Sequence, residues 1–300
     1  MHSKRSKFQS LKTSLESLKT AYDNETILDS DPIVFPYRFK NPRDIEIVGF
    51  FASFFAYGNV RSIQSFLDCL IGPLGNSPSI EIESNGKRFK SLLADPPYYR
   101  FQTKQDIKII LKTVQNFLKS HATGTVLEKY FLDPESRFIP MEGIRRFQDH
   151  FTNKLLEMSD SKKLSYGLQF FIGKKESQSP KKRICLFLRW MVRDNYPDFG
   201  LYKKIKPNQI PYPADVHIQK ISRVLGISNV KSFGIKDSIA LTEFFKIISP
   251  DDPLEYDFHL TRVGIVERCK GKYVQEICSK CRLKDVCLVV PRGIEPRLQG

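Results

Sequence analysis

The chain lacks the features of a membrane or secreted protein. None of its apolar runs approaches the about 20 residues needed to cross a bilayer. Its first residues, MHSKRSKFQSLK, are basic but have no apolar segment, so we expect no secretory signal. No lysine-rich amphipathic helix with bulky apolar residues stands at either end, which disfavours a membrane surface as partner. No Asn-Gly or Asp-Gly pair joins two alternating runs as in a hairpin, and no internal repeat is visible.

Acidic residues are few relative to basic ones. The 300 residues include 33 Asp and Glu against 48 Lys and Arg, a formal net charge of +15. So large a positive charge favours a polyanionic partner, and nucleic acid first. We expect DNA, and RNA stays open because a basic surface does not distinguish the two. A monomer is expected.

Cysteine is scarce outside one short stretch near the C-terminus, RCKGKYVQEICSKCRLKDVC. Four of the six cysteines lie there with the spacing C-x8-C-x2-C-x5-C: Cys269, Cys278, Cys281 and Cys287. Four thiolates on so short a loop suit one tetrahedral centre, either an iron–sulfur cluster or a structural zinc. This pattern indicates metal ligation in a reducing compartment, so we expect a cytoplasmic protein. Cys69 and Cys185 lie in apolar helical segments, and we expect buried, inert thiols there.

The cysteine-rich loop is also strongly basic. Its predicted nucleic-acid-binding residues are Lys270, Lys272, Lys280, Arg282 and Lys284. Only Glu276 and Asp285 oppose them. A metal-pinned basic loop is well suited to binding phosphates.

Helical periodicity runs through nearly the whole chain and predicts an all-α fold. Apolar positions recur at helical spacing over residues 8–21, 42–57, 59–72, 103–120, 141–158, 183–194, 216–225, 237–248 and 253–266. We expect two helical lobes with a cleft between them. The predicted divisions are an N-terminal helical extension over 1–40, a bilobal domain over 41–267, the four-cysteine metal loop over 268–288 and a tail over 289–300.

The segment IPYPADVHIQKISRVLG places Asp215 directly before a predicted helix. Its carboxylate is expected to cap the free backbone N–H groups of the first turn. Capping alone accounts for most aspartates in this position.

The same segment resembles the V-D-T-H-V segment of the helix-hairpin-helix DNA glycosylases, including endonuclease III, in which the aspartate is catalytic. The cysteine loop is similar to the endonuclease III pattern C-x6-C-x2-C-x5-C, with eight residues instead of six in the first interval. The resemblance implies a two-lobed helix-hairpin-helix glycosylase fold, a catalytic Asp215 and a 4Fe–4S cluster on the four cysteines. The longer first interval keeps zinc open.

The chain departs from endonuclease III at the catalytic lysine. It has no L-P-G-V-G-like hairpin, and residues 196–201 contain no lysine. In SQSPKKRICLFLRWMVRDN, Ser179 as N-cap and Pro180 as first helical residue place Lys182 in the first turn of a buried helix. The helix dipole, partial burial and the adjacent basic residues favour a neutral amine there, although Lys181 is a rival. The interval to Asp215 is similar to that in archaeal 8-oxoguanine DNA glycosylases, and most of the chain resembles a widespread bacterial family related to this superfamily.

The resemblance implies a base-excision repair DNA glycosylase with AP-lyase activity, acting on duplex DNA that carries a damaged or abasic nucleotide. Asp215 would stabilise positive charge on the sugar, and Lys182 would attack C1′ and form a Schiff base. A flipped base would need aromatic faces to stack on. Tyr98 and Tyr99 are open to that role, whereas core packing is expected for Phe51, Phe54 and Trp190. The alternative is a non-catalytic nucleic-acid-binding protein that keeps the fold and the metal loop.

Overall fold

The computed structural model describes residues 2–22, 25–121 and 123–291, and within them the fold is all-α, as predicted. The helices are α1 (His2–Tyr22), α2 (Pro42–Phe54), α3 (Val60–Ile71), α4 (Pro78–Glu83), α5 (Lys87–Ala94), α6 (Lys104–Lys119), α7 (Pro140–Ser159), α8 (Tyr166–Ile172), α9 (Lys182–Val192), α10 (Val216–Val224), α11 (Ile235–Lys246), α12 (Asp257–Ile265) and α13 (Gln275–Cys278). Short 3-10 turns join several of them. None of the described helices is both long and apolar enough to cross a membrane.

Helix starts follow the chemistry of the first turn. The Asn41 side chain accepts a hydrogen bond from the Arg43 N–H, and Pro42 is the first helical residue of α2, as predicted. Thr103 and Asp106 form a reciprocal capping box at α6. The expected cap at Ser179 is wrong, because α9 begins two residues after Pro180, at Lys182. Lys182 nevertheless lies in the first turn of α9.

The chain divides into two units that are discontinuous in sequence. We call Met1–Asn24, Gln178–Lys182 and Pro211–Gly300 the terminal unit, and Glu25–Ser177 with Arg183–Ile210 the central unit. Helix α1, expected in an N-terminal extension, packs in the terminal unit against α12 and the 3-10 turn Lys284–Val286. The Tyr256 hydroxyl donates to Glu16 Oε1 at 2.5 Å and supports this packing.

The core of the central unit is built from phenylalanine. Phe50 is fully buried, and six other rings have centroids within 4.4–6.3 Å of its own: Phe51, Phe54, Phe147, Phe151, Phe171 and Phe187. Tilted and edge-to-face pairs dominate, which is the geometry that aromatic quadrupoles favour. The expected core positions of Phe51, Phe54 and Trp190 are confirmed.

The central unit also buries charge under hydrogen bonds. Glu46 accepts the N–H groups of Val126 and Leu127 at 2.6 and 2.9 Å and the Tyr202 hydroxyl at 2.7 Å. Burial raises the pKa of Glu46 to about 7. Asp198 is likewise buried and pairs with Arg189 and Arg193. These carboxylates are tied to neighbouring segments of the same unit.

One cysteine prediction is wrong. Cys185 is buried as expected, but Cys69 is exposed. Helix α3 buries the face that carries Ile63, Phe66, Leu67 and Leu70. Cys69 lies on the opposite side, so the apolar character of the segment did not decide the environment of this residue.

Candidate functional site

Asp215 is the N-cap of α10 in the terminal unit, as predicted. Its Oδ1 accepts hydrogen bonds from the N–H groups of His217 at 2.9 Å and Ile218 at 2.8 Å. Within the described part of the chain, no group hydrogen bonds to Oδ2, and this atom is not fully buried. One oxygen of the carboxylate is therefore committed to the helix, and the other is available to an incoming ligand.

Lys182 shares its electrostatic surroundings with Asp215. Lys182 is half-buried at the first position of α9 and follows Lys181, which is buried and has a left-handed backbone (φ +53°). Burial lowers the pKa of His217; Asp215 opposes this shift, and Lys182 is among the cations that reinforce it. The two residues proposed for the chemistry thus both act on one imidazole in the terminal unit.

Helix α10 packs closely against α12 at Gly264, which has no side chain. A Cβ on Gly264 would lie 2.3 Å from His217 Nδ1, so only glycine lets the ring occupy this place. His217 is therefore a packing residue at the start of α10. Sequence reasoning missed Gly264, since HLTRVGIVERC gives no sign of which residue faces α10.

The helix capped by Asp215 also holds the cysteine-rich loop. The Lys220 ammonium donates to the Cys269 carbonyl at 3.0 Å, and its stem packs on Gly271, which has φ +72°. After the last cysteine, the Leu288 N–H donates to the Val224 carbonyl at 2.7 Å. The loop is thereby attached to the middle and to the C-terminal end of α10.

The four loop thiols are electrostatic neighbours. Burial is the largest cause that raises the pKa of Cys281 to about 12, and Glu267 and Cys269 contribute to this shift. The pKa of Cys287 is raised by burial, and Cys269 and Cys278 contribute to the shift.

Backbone amides face the sulfurs, as is common where thiolates bind iron or zinc. The Val274 N–H donates to Cys278 Sγ at 3.4 Å, and the backbone of Leu283 hydrogen bonds to Cys281. In the residues that the structure describes, no three His, Cys, Asp or Glu side chains are arranged closely enough to hold a metal ion. The donor chemistry fits a soft metal, and the convergence of the sulfurs on one ion stays a prediction.

Glu267 is a further polar residue of this region that sequence reasoning missed. Its Oε1 accepts the Tyr22 hydroxyl at 2.6 Å, and its charge acts on the Cys281 thiol. Burial and Glu267 both raise the pKa of Tyr22. The interaction joins α1 to the cysteine-rich loop over 245 residues of sequence, a distance at which no local pattern gives a signal.

The basic residues of the loop are available to a ligand. All five predicted nucleic-acid-binding residues are exposed: Lys270, Lys272, Lys280, Arg282 and Lys284. Across residues 2–22, 25–121 and 123–291, no carboxylate forms an ion pair with any of them. Their cationic groups are free to meet phosphates, and the nucleic acid itself stays a prediction.

Comparison with known proteins gives a family and no activity. No curated protein and no solved structure matches the chain. A family model matches residues 31–266, a range that includes Lys182 and Asp215 and ends before the first loop cysteine, Cys269. This match covers most of the sequence, and the chain therefore belongs to the family described as "Protein of unknown function (DUF2400)".

Proposed function

We propose that the protein is a base-excision DNA glycosylase with AP-lyase activity, acting through Lys182 and Asp215 in a helix-hairpin-helix glycosylase-like fold. One observation carries the proposal: both residues act on His217 within the terminal unit, and Asp215 Oδ2 has no hydrogen-bond partner among the described residues. A primary amine and an open carboxylate oxygen in one region are the two groups that this chemistry requires.

The chemistry begins with a nucleotide flipped out of the duplex. Asp215 Oδ2 stabilises positive charge as it develops on the sugar, while Oδ1 stays bound to the helix N–H groups. The neutral amine of Lys182 forms a bond to C1′ as the glycosidic bond breaks, and the amine proton leaves with the base. Opening of the sugar gives a Schiff base, and loss of a C2′ proton then expels the 3′ phosphate.

The four cysteines are proposed to hold a 4Fe–4S cluster, with structural zinc as the alternative. The bound metal would cross-link the loop and present its basic residues to DNA. Anaerobically purified protein is expected to absorb broadly near ~400 nm and to contain iron and sulfide. Colourless protein with stoichiometric zinc would assign the alternative. Because thiolate ligands persist in a reducing environment, we propose a cytoplasmic location.

Duplex DNA is proposed as the partner through the exposed loop cations. Each phosphate contact that is lost should lower the slope of log affinity against log salt by about 0.9. Changing Lys280 and Arg282 to alanine is expected to reduce this slope by about 2, with no change in sequence preference. An unchanged slope would place the DNA elsewhere on the protein.

Borohydride trapping on duplex DNA with a natural abasic site tests the chemistry directly. The abasic aldehyde condenses with the active amine with loss of water, and reduction makes the Schiff base permanent. We expect trapping by the wild type and by Lys181→Ala, and its loss in Lys182→Ala. Asp215→Asn should lower the rate of base release by at least about a hundredfold at nearly unchanged DNA affinity.

Two results would contradict the proposal. Trapping that survives Lys182→Ala would assign the amine to another residue. DNA binding by the wild type with no trapping and no base release on any lesion would instead identify a non-catalytic nucleic-acid-binding protein. Folding of each variant is checked by its circular dichroism and melting temperature.

A further inference from the structure

The central unit carries an exposed group of aromatic rings that no part of the proposed chemistry uses. We define the aromatic patch as Tyr57, Phe101, Tyr166 and Phe170. Phe101 is 40 % exposed and Tyr166 is 67 % exposed. The Phe101 centroid lies 5.8 Å from that of Tyr166 and 4.5 Å from that of Phe170, and Phe101 lies nearly parallel to Tyr57. The four rings form one contiguous surface with two open faces.

The patch is held rigidly from below. Tyr99 and Gln102 exchange backbone hydrogen bonds of 3.0 and 2.8 Å, which places Arg100 and Phe101 at the tip of a tight turn. The Gln102 amide donates to the Gly167 carbonyl at 2.8 Å and joins this turn to α8. The Tyr57 hydroxyl donates to Gln102 as well. The rings are therefore oriented before any ligand arrives, which lowers the entropic cost of binding.

The turn has an unusual backbone at its tip. Arg100 has φ +50°, a left-handed conformation that is unfavourable for a side chain of this kind. Such backbone persists only where surrounding contacts enforce it, and it clusters at binding sites. A Cβ on Gly58 would lie 2.9 Å from Arg100 Nη1, so the arginine is seated over this glycine.

The charge next to the patch is positive. The Arg183 guanidinium lies 5.2 Å from the Tyr57 centroid and 4.9 Å from the Phe170 centroid. Arg100 is exposed at 5.6 Å from the Phe101 centroid, and no carboxylate among the described residues pairs with it. Asp106 is an acidic residue close in sequence to Phe101, but it is buried, and its carboxylate accepts a hydrogen bond from the Thr103 hydroxyl.

We infer that the aromatic patch stacks unpaired nucleobases of single-stranded DNA, with Arg100 on the phosphates. Open aromatic faces beside an exposed cation are the two elements of sequence-tolerant single-strand binding, and Arg100 is that cation here. The Arg183 guanidinium donates to the Phe54 and Phe170 carbonyls and holds the rings in place. An uncharged protein partner would gain nothing from Arg100, whereas a polyanion with planar bases complements both the rings and the charge. The inference rests on the central unit alone and does not require chemistry at Lys182 or Asp215.

The test compares two single strands of equal length and charge by fluorescence anisotropy. One is oligothymidylate, and the other carries tetrahydrofuran in place of every base and cannot form a Schiff base. The wild type should bind the thymidine strand on the order of tenfold more tightly. The double variant Phe101→Ala with Tyr166→Ala should lose this preference, and Phe101→Tyr with Tyr166→Phe should keep it.

A matched control is Ile139→Ser. Ile139 is 41 % exposed and lies directly before the first residue of α7. The other end of α7, Ser159, is about 30 Å away along the helix axis and is the end from which the chain continues to Tyr166. Ile139→Ser should leave both affinities unchanged. Arg100→Ala should weaken binding of both strands and retain the thymidine preference. If the alanine double variant does not fold, the single variant Tyr166→Ala, at a side chain 67 % exposed, should still lower the thymidine preference, and an unchanged preference in this variant would contradict the inference.

Three results would overturn the inference. The first is equal wild-type affinity for the two strands, and the second is a thymidine preference that the folded double variant retains. The third is a defect of the double variant only in binding anionic phosphatidylserine vesicles or in self-association, which would assign the patch to a membrane or a second copy. Abasic trapping and this preference are separate measurements, so either proposal can fail alone.

Discussion

The core of the central unit and the cysteine-rich loop of the terminal unit differ in how much apolar surface they bury. Phe50 and its six neighbouring rings give the central unit a continuous apolar core. In the terminal unit, residues 268–288 bury only Leu283 and Cys287 and contain one four-residue helix and one 3-10 turn. So little buried apolar surface does not offset the entropy of ordering such a loop. Packing accounts for the core of the central unit, whereas the loop is the part that the proposed metal would stabilise.

The units also differ in what their carboxylates do. Glu46 and Asp198 are buried in the central unit and hydrogen bonded on both oxygens. Asp215 keeps one oxygen without a partner in the described structure of the terminal unit. A carboxylate fully used by the fold contributes to stability, while a half-used one can contribute to chemistry. Glu46 and Asp198 are therefore structural, whereas Asp215 keeps an oxygen for the reaction proposed for it.

The largest effect is expected from Cys281→Ser. If the four cysteines hold the proposed metal, loss of one ligand should release it, and with it most of the about 10 kcal/mol that a structural metal contributes to folding. Hydrogen exchange should accelerate over 268–288 and leave the central unit unchanged. Metal analysis and exchange mass spectrometry check this, with Cys69→Ser, at the exposed cysteine of α3, as control. If Cys281→Ser kept the metal content of the wild type, the loop would not depend on this cysteine for a metal, and the contrast with the packed core of the central unit would fail.

Phe50→Ala should have the next largest effect, in the opposite unit. Removal of a fully buried ring with six aromatic neighbours is expected to lower the free energy of unfolding by about 3–5 kcal/mol. Urea unfolding measures the loss, and the metal content should stay that of the wild type. Ile80→Ala, at a side chain 56 % exposed in the same unit, serves as control. A loss of metal in Phe50→Ala would show that the two units are not independent.

The Glu46 carboxyl should make the central unit less stable as the pH rises. Burial raises its pKa from an ordinary 4.5 to about 7, so the folded state holds the proton more tightly than the unfolded state. Its contribution is fully present below pH 4.5 and is lost as the pH rises through about 7. The difference amounts to about 3 kcal/mol.

Urea unfolding at pH 5 and pH 8 measures this loss, and comparison with Glu46→Gln separates it from other titrating groups. The amide cannot ionise, and its single oxygen can take the place of Oε1, which accepts from the Leu127 N–H and the Tyr202 hydroxyl. We expect a shallower pH dependence in the variant. Equal slopes in the two proteins would mean that Glu46 is ionised throughout this range.

Local patterns predicted the helices and the caps well. Helical periodicity gives the all-α fold, and Asn41-Pro42 and Asp215 mark true helix starts, because capping depends on a few adjacent atoms. The same reasoning fails at Ser179-Pro180, where Lys181 adopts a left-handed backbone and delays the helix to Lys182. A cap-and-proline pattern is also typical of turns, and only tertiary contacts choose between them.

Whether a given side chain is buried or exposed could not be derived from its residue type. Tyr98 and Tyr99 are adjacent, yet Tyr98 is 71 % exposed and Tyr99 is buried, with its hydroxyl on the Tyr57 carbonyl at 2.5 Å. The discontinuous units were equally out of reach, because Tyr22 meets Glu267 across 245 positions. Periodicity reports the face of a helix but not which distant segment covers it.

Gly264→Ala should have the smallest effect, and it is compared with the same substitution at a glycine of the central unit. Alanine is favoured over glycine inside a helix by about 1 kcal/mol. At Gly264 the added methyl would meet His217 Nδ1 at 2.3 Å, so α10 or the ring must move, at a cost of about 1–3 kcal/mol. Gly72, in the central unit, has φ −51° and no atom within 4 Å of an added Cβ, so Gly72→Ala should be neutral or slightly stabilising. If Gly264→Ala alone has a lower unfolding midpoint and slower Schiff-base trapping than the wild type, this glycine positions Asp215. If both variants have the midpoint and the trapping rate of the wild type, α10 tolerates the displacement.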